Sequence, residues 1–407
     1  MSQMEWNSML PSLISLNEDL QKIQDEGISF DVRSGNFVAD CVPYLTESKE
    51  IKAGILVFPM NWENQKILKP NDHTAFFIGG KPCEMDGTPI KGLGILEMRH
   101  PLFDTVVSDY RFSCYPDKGM YPTYYDKVLN YWRIITAPAV NTDPLACRAL
   151  KKQKLIKPAD SKLVYWDINS SRAHIAGLTD MFKGMKVAII GLGGTGSYIL
   201  DFIAKLPLEE IHLFDSDIFK QHNAFRAPGA APSQILERNI PKVQYLSEVY
   251  RQMNEAIVQH PESINPGNKD FLLGMDFIFL AIDKAAVRNE IAHFLIQNNK
   301  KFVNSGIGVS LREGGLAGII RVSYGEPGHY QDLNDTFDAT NEAGEDDIYR
   351  DNIQIAELNA FAAMESVFRW KQSLGFYQNS TITYDFEFVL NKNKIIYDDP
   401  KVQVGIR

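Results

Sequence analysis

The 407-residue chain carries 42 Lys and Arg against 51 Asp and Glu, and the net charge of −9 argues against nucleic acid as its main partner, which needs a basic face. The length suits about two to three domains, and no run approaches the ~20 apolar residues of a membrane span. The opening MSQMEWNSMLPSL has no basic start and no long apolar core, so no signal peptide is expected, and Cys41, Cys83, Cys114 and Cys147 form no CxxC pair, which disfavours structural zinc and suits free thiols in a reducing cytoplasm.

The stretch up to Gly27 has Leu10, Leu13, Ile14, Leu20 and Ile23 at helical spacing. Short apolar or alternating segments follow at Ile28–Val32, Phe37–Val42, Ile55–Phe58 and Thr74–Ile78, separated by turns such as Ser34-Gly35-Asn36, as in a small antiparallel sheet. Tyr124–Ile135 reads as a helix burying an aromatic face. The basic, Pro-broken KKQKLIKPADSK then reads as a linker. Residues 1–150 are therefore expected to form a smaller β-rich α+β domain, 151–165 the linker, and 166–407 a second domain.

The second domain is organised around KVAIIGLGGTGSYILDFIAKLPLEEIHLFDSDIFKQHNAFR, residues 186–226. Val187–Ile190 predicts a strand buried on both faces. A turn with Gly191, Gly193, Gly194 and Gly196 leads into a helix over Thr195–Lys205, and a second strand, Ile211–Phe214, ends at Asp215. Strand, glycine turn, helix, strand and acid together describe a nucleotide site. Glycines let backbone approach phosphate, the helix start offers free N–H groups, and the carboxylate can take ribose hydroxyls. An NAD(P)-dependent oxidoreductase is one reading of this fingerprint. Asp217, Asn223, Arg226, Lys242 and Asp283 point elsewhere. Two cations would neutralise phosphates as pyrophosphate leaves, and a carboxylate would hold Mg²⁺, as attack on the α-phosphate of ATP requires.

Further along, Pro241 suits the first turn of a helix to about Met253, and Phe277–Ile282 is a buried strand with Asp283 at its end or capping a helix over Lys284–Asn298. Strands are expected at Lys301–Asn304 and Gly315–Tyr324. Gly325–Asp351 has nine Asp or Glu against one Arg and no apolar period, so a mobile loop is expected. Asn352–Gly375 predicts a helix with Leu358, Phe361, Met364 and Phe368 on one side and Gly375 ending it, before a hairpin of Thr381–Leu390 and Lys394–Tyr397.

The set GLGGTG, D-S-D, H-N-A-F-R, P-K-V and A-I-D-K-A-A-V-R-N resembles the ThiF/MoeB/ubiquitin-activating (THIF-type) adenylyltransferases over roughly half the chain. The resemblance implies a Rossmann-like adenylation domain with a mostly parallel sheet. It implies phosphate at Gly194, ribose at Asp215, phosphates on Asn223, Arg226 and Lys242, and Mg²⁺ on Asp283. It also implies a homodimer in which Arg172, in SSRAHIAGL, reaches the partner's ATP. Such enzymes adenylate a carboxyl group, usually the C-terminal glycine of a ubiquitin-like or sulfur-carrier protein. Joined to a β-rich first domain, the pattern looks like the activating enzymes of bacterial ubiquitination-like operons, with a ubiquitin-like substrate, a conjugating enzyme as partner, and residues 1–150 recruiting one of them. The relatives' thioester cysteine has no counterpart after residue 147. Three routes stay open: direct transfer to a partner's nucleophile, an oxyester on Thr336, Thr340, Ser305 or Ser310, or transfer to Cys83 or Cys114. A nucleotide-binding scaffold without transfer chemistry is the remaining alternative.

Overall fold

A computed structural model describes residues 10, 13–116, 119–150, 161–173, 175–330, 333, 353–378 and 382–397. The chain falls into two units, Met1–Ala159 with Tyr165–Arg172, and Asp160–Val164 with Ala173–Arg407. Thr336, Thr340, most of the acidic stretch after Gly325 and residues 151–160 of the expected linker lie outside the described residues. Among the described residues, no helix is long and apolar enough to cross a membrane.

The first unit is built on an antiparallel sheet of β1 (Phe30–Arg33), β2 (Asn36–Leu45), β3 (Ile51–Pro59), β4 (Thr74–Ile78), β5 (Leu96–Glu97) and β6 (Tyr110–Ser113), in the order β1-β2-β3-β4-β6-β5. The register slips between Ala39 and Val42, where Cys41 takes φ +58°. The opening helix is interrupted at Asn17, and α1 spans Glu18–Asp25. The interruption is polar but satisfied: Asn17 Nδ2 donates to Leu13 O at 2.7 Å and its Oδ1 accepts from Ile67 N at 2.7 Å. Helix α2, Tyr124–Thr142, runs further than the aromatic pattern predicted and starts at Thr123, whose side chain caps Asp126 N. Its Val128, Tyr131, Trp132 and Ile135 share one core with Phe37, Phe58, Phe77 and Phe112 of the sheet. Tyr131 ties helix to strand ends, donating to His73 O at 2.5 Å and accepting from Cys114 N at 2.7 Å.

Lys127 of α2 is a buried charge in that core. Its side chain is 1% exposed, 2.8 Å from Asp72 Oδ1 and over the Phe58 and Tyr124 rings. Burial holds the ammonium below its ordinary range, and Asp72, despite its own partial burial, is held low by the Lys127 hydrogen bond. Removing one partner of such a pair costs more than replacing the ion by an apolar chain. Asp72→Asn is expected to destabilise the protein by about 2 kcal/mol, below the range for a fully buried pair because Asp72 is partly exposed. Lys127→Met should cost less than half of that in a denaturant melt, and the reverse order would contradict this account.

The second unit is α/β. Its sheet runs β9-β8-β7-β10-β11-β12-β13-β14, with β7 (Lys186–Ile190), β8 (Glu210–Phe214), β9 (Ile257–His260), β10 (Phe277–Leu280), β11 (Phe302–Arg312), β12 (Gly315–Gly325), β13 (Asp385–Val389) and β14 (Lys394–Tyr397). The first five in this order pair in parallel and the last three antiparallel. Strand β7 is buried on both faces, as its run of apolar residues predicts. Val187 and Ile189 pack with α3 (Gly194–Ile203), α4 (Lys242–Tyr250) and α6 (Ala356–Ser373), while Ala188 and Ile190 pack on the other side with α5 (Ala285–Gln297).

Three expectations need correction. Strand β11 is eleven residues long and pairs with β12 along its whole length, far beyond Lys301–Asn304. Its Gly306 and Gly308 lie in the ladder opposite Arg321 and Ile319. The buried face of α6 passes through Leu358, Ala362, Ala363, Val367 and Trp370, and leaves Met364 at 42% and Phe368 at 37% exposure. Small residues face the sheet because the helix lies close against it, and Trp370 fills the space beyond. Lys284, not Asp283, occupies the cap position of α5, and its side chain makes no cap bond. Gly375 follows α6 at φ +79°, the left-handed stop expected of it, and Asn393 at φ +46° turns the terminal hairpin.

Candidate functional site

The parallel strands end on one side of the sheet, and a cleft of about 240 Å³ opens there. Ligands of open α/β sheets sit at the carboxyl ends of the strands because helix N-termini and loops converge there. Gly191, Gly193, Gly194, Asp215, Asp217, Arg226, Lys242 and Asp283 all line this cleft. Gly196 and Asn223 stand behind its wall. Arg172 ends the short helix Ile168–Arg172, and its side chain lies outside the described residues.

Each glycine answers a different constraint. Gly191 leaves β7 at φ +90°, with Ala281 O at 2.5 Å from where a Cβ would sit. Gly193 caps α3 in an extended conformation, with no atom within 4 Å of a Cβ on it. A Cβ on Gly194 would overlap the Asn359 carboxamide, and one on Gly196 would overlap Gly191 O. The first N–H groups of α3 have no partner within the helix and are left to the cleft.

Asp215 is held rigidly. Its Oδ2 accepts from Leu192 N at 2.7 Å and its Oδ1 from Asp217 N at 2.8 Å. Lys242, the first residue of α4 and 5% exposed, places Nζ 2.7 Å from Asp217 Oδ2 and 3.3 Å from Asp215 Oδ2. The Lys242 hydrogen bond holds the Asp217 carboxyl below its usual range. Asn223 is 4% exposed, and its Oδ1 accepts from Lys220 N at 2.8 Å. Its Nδ2 and the Nε of Arg226 are buried donors without a hydrogen-bond partner among the described residues. Orphan donors cost free energy and mark where an acceptor belongs. Burial, then the charges of Arg226, Lys220 and Lys242, pushes His222 below its ordinary range, so it stays neutral at pH 7 among these cations.

Asp283 is exposed at the tip after β10, opposite the glycine turn. The wall beyond it is made by Arg288, by Ser305, Gly306 and Ile307 of β11, and by Gln354. Of these, Ser305 was singled out in the sequence only as an acyl acceptor, while Arg288, Gly306, Ile307 and Gln354 escaped sequence reading, although β11 follows β10 in the sheet. Ser305 is buried and donates to Leu280 O at 3.2 Å. Ser310 lies further along the same strand. Cys83 is buried in the first unit, where burial pushes its thiol up, and Cys114 is partly exposed.

Residues 168–366 match the ThiF family, and residues 18–168 match a domain of unknown function (DUF6791). No curated protein matches the chain in sequence. Among solved structures, E. coli MccB with MccA-N7isoASN is 16% identical at a TM-score of 0.43, over 55% of this chain and 66% of that one. The chain thus spans just under two thirds of that relative. E. coli MccB with ATP is 14% identical at a TM-score of 0.43, over 76% of this chain and 95% of that one. E. coli tRNA N6-threonylcarbamoyladenosine dehydratase, TcdA, in complex with AMP is 15% identical at a TM-score of 0.37, over 51% and 93%.

Proposed function

Residues 168–366 belong to the ThiF family, and from that premise we propose that the chain is an ATP-dependent adenylyltransferase that activates the C-terminal carboxylate of a ubiquitin-like protein. The observation that carries the nucleotide reading is the meeting of a helix N-terminus, Lys242 and the orphan donor of Arg226 at one cleft, with the orphan donor of Asn223 buried three residues before Arg226. These groups suit a polyphosphate, while the rigid Asp215 carboxylate suits ribose hydroxyls.

In this reading the substrate carboxylate attacks the α-phosphorus, a P–O bond forms to the carboxylate oxygen, and the bond to pyrophosphate breaks. Arg226 and Lys242 take up the charge that grows on the departing oxygens. Lys242 starts from its carboxylate pair and can turn toward phosphate without leaving the cleft. Asp283 would hold Mg²⁺. Among the described residues, no group of three or more His, Cys, Asp or Glu side chains could hold a metal ion, and Asp283 is the cleft carboxylate that would meet an ion carried by the nucleotide. When bound, that ion supplies further charge neutralisation at the phosphates. No cysteine follows Cys147 and Cys83 is buried, which favours transfer to a partner's nucleophile over Cys83, and we assign the first unit to recruiting that protein partner.

ATP–pyrophosphate exchange, assayed with and without candidate ubiquitin-like proteins from the same gene neighbourhood, tests the reading. Exchange is expected to need one of them, and Asp283→Ala should lower it by about 10²-fold or more. ATP binding without exchange under any candidate would favour a nucleotide-binding scaffold. NADH binding with no ATP affinity would return the site to hydride transfer. Exchange unaffected by Asp283→Ala would remove that residue from the mechanism.

A further inference from the structure

Asn359 of α6 is completely buried, 164 residues from the glycine turn in sequence, yet it touches that turn directly. Its Oδ1 accepts from Thr195 Oγ1 at 3.1 Å, and its Nδ2 donates to Ile355 O at 3.0 Å. A polar side chain buried this deeply persists only where its hydrogen bonds are made. The carboxamide fits because Gly194 has no Cβ, for one would overlap it. Gly194 and Thr195 meanwhile face the cleft on their other side. Asn359 is therefore the back wall of the turn whose front is the proposed phosphate site.

The same segment reaches the far end of the cleft. Ile353 N donates to Val309 O of β11 at 2.8 Å, Gln354 lines the cleft, and Ile355 O holds the Asn359 carboxamide. Residues 353–359 thus connect β11 to the start of α3 through three hydrogen bonds, Ile353 to Val309, Asn359 to Ile355 and Thr195 to Asn359. Resting on the nucleotide reading above, we propose that Asn359 is a positioning residue: through Thr195 it holds the first N–H groups of α3 aimed at phosphate, at a fixed spacing from the β11 wall, without touching the ligand itself.

The test measures ATP affinity by calorimetry on the full chain, with a thermal melt of each variant. Asn359→Ala and Thr195→Val are each expected to weaken ATP binding about tenfold while remaining folded. Their double variant should also lose about tenfold, because both remove one bond; independent effects would give about a hundredfold. Gly194→Ala should lose more than either, and adding Asn359→Ala to it should recover affinity, since the overlapping atoms are gone. Independent effects in the double variant, or no recovery, would overturn the role. So would an Asn359→Ala protein that melts earlier yet binds ATP as tightly as the unmodified chain, which is how a purely structural asparagine behaves. Should Asn359→Ala not fold, Thr195→Val reads the same bond from the cleft side, and unchanged affinity there overturns it. No ATP binding by the unmodified chain overturns the nucleotide reading and this role together, whereas ATP binding that both variants leave intact overturns this role alone.

Discussion

Gly196→Ala is expected to destabilise the second unit by about 3 kcal/mol or more and to abolish ATP binding, whereas Gly193→Ala should melt like the unmodified protein. The contrast follows from what each added methyl meets. At Gly193 it meets open cleft, on a backbone with φ −69° that any residue adopts. At Gly196 it lands on the backbone carbonyl of Gly191, which cannot rotate away as a side chain would. Nor can Gly191 retreat. Its N–H is bonded to Phe214 O at 2.9 Å, and Ala281, whose own N–H is bonded to Ile190 O at 2.9 Å, closes the other side. Relief requires prising α3 off β7, which separates Ile199, Leu200 and Ile203 from Val187 and Ile189 in the main core. Overpacking usually costs 1–3 kcal/mol, and a clash with a backbone carbonyl that is itself held in place belongs at or above the top of that range. In a unit of this size, 3 kcal/mol lowers the melting temperature by about 6–12 °C. A Gly196→Ala melt within about 2 °C of the unmodified protein would show that the turn has slack not visible in the structure.

The same turn shows what a sequence can and cannot disclose. Its four glycines, the apolar strand before them and Asp215 at the next strand end lie close together in the chain, and local chemistry was enough to assemble them. Lys242 and Asp283 line the same cleft and also stand at element boundaries, where an open sheet gathers its ligand-binding groups. Asn359 carries no such sign. It is one polar residue on an apolar helix, and only the packing of α6 against α3 reveals that Gly194 is small on its account. The wrong face read for α6 has the same origin: Met364 and Phe368 are more hydrophobic than Ala362 and Ala363, but close approach to the sheet selects small residues over apolar area. Likewise the expected strand Lys301–Asn304 extends to Arg312: glycine is a poor strand former locally, and pairing with the full length of β12 overrides that preference. The first unit was legible as a small antiparallel sheet from its alternating segments, but its Lys127–Asp72 pair was not, since no pattern in sequence distinguishes a buried lysine from a solvated one.

Lys242→Met is expected to lower pyrophosphate exchange by 10²–10³-fold, the scale seen when one preorganised donor to a developing charge is removed, and it should also lower stability. The stability loss comes from Asp215. Its side chain is 8% exposed and loses its cationic partner with the lysine gone, but it keeps the Leu192 and Asp217 N–H donors. The cost is therefore about 2 kcal/mol, below the 3–5 kcal/mol of a pair broken with nothing left in compensation. Asp217, 70% exposed, adds little, because water screens it. The sign of its pH dependence is nonetheless fixed. A carboxyl held low in the folded state stabilises above its unfolded pKa of about 3.9, and that contribution disappears as pH falls through the lower folded value. Lys242→Met removes it at every pH, so the gap between the two proteins should be widest near neutrality and narrow in acid. Asp217→Asn separates the two effects. It loosens one tether and leaves the ammonium in the cleft with Asp215, so ATP affinity should stay within about threefold while the acid-side dependence shrinks. Exchange by Lys242→Met within tenfold of the unmodified enzyme would mean that this lysine serves only to hold Asp215 and Asp217 in place, with Arg226 left to meet the departing pyrophosphate.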